Sequence, residues 1–351
     1  MEPPPLGSAP RVLVLAPGPP ADLVAALENA LDGHWEPVVP DPGAGPDDLH
    51  RLLAAADVVL GDWSGRHPLG LPQAAAAADV RLVQQPGVGV EYIDLAAWAA
   101  RGIPVANAAG SNATAVAEWC VTAVLTLLRQ VCWGDAAVRG GGWPSSAEVM
   151  SRLRELGGSR VGLVGFGPIG AACARLLGPF GCSVSYWSRT RRPPEDEHGA
   201  TYRDLDDLLS TSDVLIVAVA LTEQTRGLLD GDRLALLPAG AVVVNAARGA
   251  VLDESALARS LGSGHIGGAA LDVFTVEPLP LDSPLRSAPN LLFSPHLAGS
   301  TAAARARTFT AAAANVARAV RGEPPVSVLN GVSSCPSPTP AAIATENGSP
   351  A

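Results

Sequence analysis

The chain has 351 residues, of which 48% are hydrophobic and 17% charged, a composition that suits a globular protein with two cored domains. A net charge of −10 argues against nucleic acid as the main partner, because phosphate binding draws on a surplus of cationic side chains. All 24 Lys-plus-Arg positions are arginine, which excludes Schiff-base chemistry and a P-loop lysine. The five cysteines, Cys120, Cys132, Cys173, Cys182 and Cys335, form no CxxC, so neither a disulfide frame nor a metal site is expected. The longest uncharged apolar segment, 119–128, is half the length a bilayer requires, and the N-terminus lacks the basic start of a secretory signal. A cytoplasmic protein without a membrane partner is expected.

In chain order, residues 1–10 are Pro-rich and read as a disordered tail. Strands are expected at 12–15, 57–60 and 81–85, with helices at 21–31, 49–56, 73–78 and 95–100 and a short strand within 102–107. This is a small α/β unit. Residues 112–131 carry only Glu118 and Arg129 as charges and are apolar nearly all round, which predicts a buried helix joining two domains. Next comes an apolar run that breaks into Gly165-Phe-Gly-Pro-Ile-Gly170 and then a helix. Strands at 183–187, 214–219, 241–246, 268–272 and 291–293, with helices at 230–237 and 253–262, predict a doubly wound parallel sheet. A helix over 301–321 is expected to return to the first domain. From Pro324 onward Pro, Ser, Thr and Ala dominate, so a tail without a core is expected.

The glycine turn is where the chemistry starts. Gly165 permits a tight turn, Gly167 lets backbone approach a pyrophosphate, Gly170 allows close helix–strand packing, and the helix N-terminus presents free N–H groups. Alone, such a turn is common. At the end of the following strand, where a dinucleotide fold usually holds an acid for the ribose 2′-hydroxyl, stand Ser188, Arg189, Thr190, Arg191 and Arg192. A hydroxyl and guanidinium groups suit a 2′-phosphate, which predicts NADP, with NAD the alternative. Three later residues sit at strand ends: Arg248, whose fork matches a carboxylate; His296, able to exchange a proton near neutral pH; and Glu277, able to orient that imidazole. Read singly, each has an ordinary explanation as a surface arginine, a capping histidine or a turn glutamate.

Together, the motifs Gly165-Phe-Gly-Pro-Ile-Gly170, Asn245-Ala-Ala-Arg-Gly249 with Asp253-Glu254, Ala270-Leu-Asp-Val-Phe274 with Glu277-Pro278, and Pro295-His-Leu-Ala-Gly299 resemble the D-isomer-specific 2-hydroxyacid dehydrogenases. The likeness runs from about Val12 to about Glu323. It implies a Rossmann nucleotide domain, 107–296, inserted into a flavodoxin-like substrate domain, 11–106 with 297–323, and tails at 1–10 and 324–351. It implies hydride exchange between NAD(P)H and a small 2-oxo or 2-hydroxy acid, with NADPH preferred and a homodimer formed through the nucleotide domain. His296 would carry the proton, Arg248 would hold the carboxylate and Glu277 would pair with His296. The amides of Val88 and Gly89 would complete the carboxylate site. Pro168 and Ile169 would line the pyrophosphate, Asp272 would bond the nicotinamide amide, and Ala246, Ala298 and Gly299 would border the cofactor. Ala220 stands where the family commonly has a proline, and Gln84-Gln85-Pro86 differs from the small residues often found before its Gly-Val-Gly loop, so an unusual substrate pocket is expected. Formate dehydrogenases, which the chain also resembles, place Gln where Glu277 stands. Phosphite dehydrogenase keeps all three residues and is an alternative, as is a nucleotide-sensing corepressor-like binding protein.

Overall fold

Strands buried on both faces need apolar side chains in both directions, and parallel strands need crossovers that supply the covering helices. Both conditions are met twice in this chain. The structure, a computed structural model, describes residues 9–15, 18–62 and 65–336. The tail expectations for 1–8 and 337–351 lie outside the described residues. The chain divides into two units, Met1–Ser111 with Arg305–Ala351, and Asn112–Ala304.

The first unit runs β1 (Arg11–Val14), α1 (Ala21–Ala30), β2 (Glu36–Val38), α2 (Pro46–Ala54), β3 (Val58–Leu60), α3 (Leu71–Ala76), β4 (Leu82–Gln84), α4 (Leu95–Ala100) and β5 (Val105–Ala106). The sheet is parallel in the order β2-β1-β3-β4-β5. Leu13, Val59 and Val83 face a core with Leu49, Leu53 and Trp98 from α2 and α4, whereas Val12, Val14 and Val58 face Leu23, Leu27, Phe309 and Val316. The last two belong to the chain's final helix, Ala302–Val320, which covers this sheet as expected. β2 has no sequence signal: it is a three-residue edge strand containing Pro37, and an edge tolerates a missing amide.

The expectation of a coreless tail from Pro324 is corrected for residues up to 336. Val328 bridges Ala106 in antiparallel fashion, Leu329 N donates to Val105 O at 2.8 Å, and the Asn330 side chain bonds Val105 N and Ile103 O. Val328 and Cys335 also pack on the core beneath the final helix. The physical reason is that β5 closes the sheet with unpaired backbone groups, and a returning segment satisfies them.

The second unit begins with α5 (Ala113–Leu128), most of it buried, then bends by 58° into α6 (Val131–Arg139), with Gln130 at φ 49° between them. After α7 (Ser146–Arg152), opened by a Ser145/Glu148 capping box, come β6 (Arg160–Val164), α8 (Pro168–Leu177), β7 (Ser183–Trp187), β8 (Thr201–Tyr202), α9 (Leu205–Ser210) and β9 (Val214–Val217). α10 (Gly231–Leu236), β10 (Ala241–Asn245), α11 (Glu254–Ser263), β11 (Ile266–Leu271) and β12 (Leu291–Phe293) complete it. All seven strands are parallel in the order β12-β11-β10-β9-β6-β7-β8. The order reverses between β6 and β9, which places a topological switch point at their carboxyl ends. Val214, Ile216, Val242 and Val244 pack toward α5 and α8, and Leu215, Val217 and Val243 toward α9, α10 and α11. Each such fully buried side chain contributes roughly 1.5–3 kcal/mol. Among the described residues no single helix is long and apolar enough to cross a membrane.

Candidate active site

The glycine turn lies at the switch point. Gly165 has φ +102°, and a Cβ there would come within 2.6 Å of Ala218 O. A Cβ on Gly170 would meet Gly165 O at 2.3 Å, so α8 packs on the turn at a distance only glycine allows. Gly167 is the N-cap of α8 and makes no side-chain cap, and a Cβ there would meet nothing within 4 Å. The backbone at the N-terminus of α8 is therefore open to close approach at Gly167, which fits a pyrophosphate.

The end of β7 is built on Tyr186, fully buried and stacked on Phe166 of the glycine turn with 4.0 Å between ring centroids. The Tyr186 hydroxyl donates to Glu197 Oε1 at 3.0 Å and accepts from Arg192 N at 2.9 Å. Burial raises the Tyr186 phenol above its ordinary range, while the Arg191 guanidinium holds the Glu197 carboxyl below its own. Of the three arginines read from this loop, Arg191 pairs with Glu197 at 3.0 Å and Arg192 Nε donates to Phe166 O at 3.0 Å. Arg189 is exposed and makes no ion pair among the described residues. Ser188 Oγ donates to Thr190 O at 2.7 Å, closing the turn that presents them.

Three adjacent strands bring the other predicted residues to the same edge. Arg248 follows β10 in a turn fixed by the fully buried Asn245, whose side chain donates to Arg248 O and accepts from Ala247 N. Arg248 is half-buried, with Nη1 donating to Ala247 O at 2.7 Å. Gly249 passes so close to the next loop that a Cβ would lie 1.9 Å from the Phe274 carbonyl carbon. That loop, after β11, carries Glu277, and Glu277 Oε1 accepts from Phe274 N at 2.9 Å. Its Oε2 lies 2.8 Å from His296 Nδ1, after β12. His296 has φ +55°, a conformation imposed by Asp272: Asp272 O accepts from His296 N, and its buried carboxylate accepts from Leu297 N and Ala298 N at 2.7 and 3.0 Å. The His296–Glu277 pair borders a cavity of about 610 Å³ walled by Phe274, Pro278, Leu279 and Phe293.

Sequence reasoning missed the turn-shaping role of Asn245, and it read Asp272 only as a cofactor residue; an Asn or Asp at the carboxyl end of a parallel strand was the available signal. It also missed Asn112, at the start of α5, whose side chain lies against Gly299. In the first unit, Val88 and Gly89 sit in a loop pinned by its carbonyls. Asn107 Nδ2 donates to Val88 O at 2.7 Å and Ala108 N to Gly87 O at 3.0 Å. The amides of Val88 and Gly89 donate to no acceptor among the described residues. Gln84, expected to mark an unusual pocket, is instead fully buried and accepts from Asn315 of the final helix at 2.8 Å, a scaffold contact. Gln85 bonds the Tyr92 hydroxyl.

The structure thus brings a glycine turn at the switch point together with an Arg, a Glu–His pair and an Asp along one sheet edge. The family model of the NAD-binding domain of D-isomer-specific 2-hydroxyacid dehydrogenases matches residues 121–298. The chain belongs to this family. A mitochondrial formate dehydrogenase of Solanum tuberosum is 35% identical over 82% of this chain and 78% of its own length. A glyoxylate reductase of Thermofilum pendens is 36% identical over 73% of this chain and 76% of its own. Among solved structures, a glyoxylate reductase from Paecilomyes thermophila superposes with a TM-score of 0.79 at 27% identity, covering 89% of this chain and 95% of that one. As a 2-hydroxyacid dehydrogenase the chain is an NAD(P)-dependent oxidoreductase of small 2-oxo and 2-hydroxy acids.

Proposed function

We propose that this dehydrogenase is an NADPH-preferring, cytoplasmic reductase of a small 2-oxo acid. The observation that carries the reading is the hydrogen bond of 2.8 Å between His296 Nδ1 and Glu277 Oε2 at the carboxyl edge of the second sheet. With Nδ1 donating to the carboxylate, Nε2 is the nitrogen left to exchange a proton. The bound nicotinamide supplies or accepts the hydride. In reduction, His296 gives its Nε2 proton to the carbonyl oxygen as C2 becomes a carbinol; in oxidation, the neutral ring takes that proton back. Arg248 pairs with the substrate carboxylate. The unused amides of Val88 and Gly89 are available to an anion, the carbonyls of the same peptide units, Gly87 and Val88, being drawn the other way by Ala108 N and Asn107 Nδ2.

For the cofactor, Gly165, Gly167, Pro168, Ile169 and Gly170 hold the pyrophosphate. Ala246, Asp272, Ala298 and Gly299 border the nicotinamide, and Ser188, Arg189 and Thr190 take the 2′-phosphate. Exposed apolar side chains on and between α6 and α7, Val131, Val138, Trp143 and Met150, support a homodimer formed through this unit. Formate oxidation is the reading the Solanum relative suggests. Formate has no hydroxyl proton to remove, and a carboxylate on the histidine, where formate dehydrogenases hold Gln, favours the 2-oxo acid. Replacing His296 with Ala is expected to lower turnover by about 10²–10⁴-fold while NADPH binding, read by fluorescence, is retained. Turnover within threefold of wild type would sink the mechanism.

A further inference from the structure

The loop after β7 holds three arginines, but their contacts divide them. Arg192 spans from its own loop to the Phe166 carbonyl, tying the glycine turn to the end of β7. Arg191 is drawn back onto Glu197, whose side chain is only 12% exposed and is also held by the buried Tyr186 hydroxyl. Arg189 is left outside both contacts. The carboxylate thus removes one of two candidate cations from the ribose end and brings a negative charge in its place.

We propose that Glu197 is the residue that sets how strongly this enzyme distinguishes NADPH from NADH. By pairing with Arg191 it leaves recognition of the 2′-phosphate to Arg189, so that selectivity is restrained by a charge outside the phosphate site. The inference rests on the NADPH reading above. Glu197 acts through Arg191 and is a positioning residue. A rival role is available to the same carboxylate: as the ribose acid absent from position 188, it would accept the 2′-hydroxyl of NADH directly. Its two existing partners on Oε1, Tyr186 and Arg191, argue for the first role.

Binding without turnover separates these. The full chain is titrated calorimetrically with adenosine 2′,5′-bisphosphate and with adenosine 5′-monophosphate. Glu197→Gln keeps the shape and an acceptor for Tyr186 but releases Arg191. It is expected to tighten the bisphosphate about three- to tenfold and to leave the monophosphate within about twofold. The gain should disappear in Glu197→Gln/Arg191→Ala, and should shrink as salt is raised. Weaker monophosphate binding in Glu197→Gln would assign Glu197 to the ribose and overturn the proposal, as would a gain that survives loss of Arg191. A wild type that binds both nucleotides equally would instead overturn the NADPH reading. A wild type that prefers the bisphosphate, with Glu197→Gln unchanged, would remove Glu197 alone.

Discussion

The two units share one architecture and use it differently. Each is a parallel sheet covered on both faces, and in each the first strand opens with an arginine whose amide donates to an aspartate just before the neighbouring strand. Arg11 N meets Asp57 Oδ2 at 2.8 Å, and Arg160 N meets Asp213 Oδ2 at 3.0 Å. At the opposite edge they diverge. The second unit places Arg248, Glu277 and His296 after three adjacent strands, side chains that carry charge or protons. The loop of the first unit after β4 offers backbone amides, aimed by Asn107. Side chains able to carry charge or protons gather at the edge of one sheet, and the matching loop of the other presents backbone amides.

The largest effect that tests this division is at His296, where loss of the imidazole removes the proposed proton carrier. Its sharper form is the pH dependence. Reduction consumes a proton from the ring and oxidation needs the ring neutral, so kcat/KM should fall with rising pH in reduction and rise in oxidation. Parallel profiles would move the proton to another group. A smaller loss, roughly tenfold in turnover, is expected for Glu277→Gln, which keeps a partner for Nδ1 but removes the negative charge. An unchanged rate would mean that the carboxylate only positions the ring.

This division also explains what was legible in the sequence. Arg248, Glu277 and His296 have side chains whose chemistry announces itself, and Gly165 and Gly170 mark a backbone that no other residue could form. The inner strands were legible because burial on both faces leaves apolar runs, whereas the short edge strands β2 and β8 carry no such run. Asn107 was not legible: it acts by fixing a carbonyl 19 residues away, and only the folded register brings the two together. The same holds for Gln84, which looked like a pocket residue until the final helix supplied Asn315. The strap formed by residues 324–336 was hidden because it is held by backbone pairing to a two-residue strand, which needs no apolar pattern.

If the first unit works through its backbone, Asn107→Ala should raise KM for the 2-oxo acid about tenfold, since Val88 O loses its donor and the loop its orientation. NADPH affinity and kcat should change by less than about threefold. Equal losses in kcat and cofactor binding would show that Asn107 serves the fold rather than the loop. Arg189→Ala should do the reverse, weakening NADPH about tenfold while leaving NADH and the acid nearly unchanged. A matching loss for NADH would remove Arg189 from the 2′-phosphate.

The smallest expected effect concerns the device the two sheets share. Arg160 grips Asp213 through two side-chain nitrogens, at 2.9 and 2.6 Å, as well as through its amide. The guanidinium holds the Asp213 carboxyl below its ordinary range, against a smaller opposing effect of burial. A carboxyl depressed in the folded state stabilises the fold above its unfolded pKa, about 3.9, and that contribution is lost as pH falls through the folded value. Asp213→Asn should therefore lower the thermal midpoint by a few degrees at pH 7, and the gap from wild type should close as both are melted at progressively more acid pH. Because the pair lies at the amino edge, far along β6 and β9 from the glycine turn, catalysis should be unaffected at temperatures where both proteins are folded. A gap that stays constant from pH 7 into the acid range would show that Asp213 stabilises by its hydrogen-bond geometry rather than by its charge.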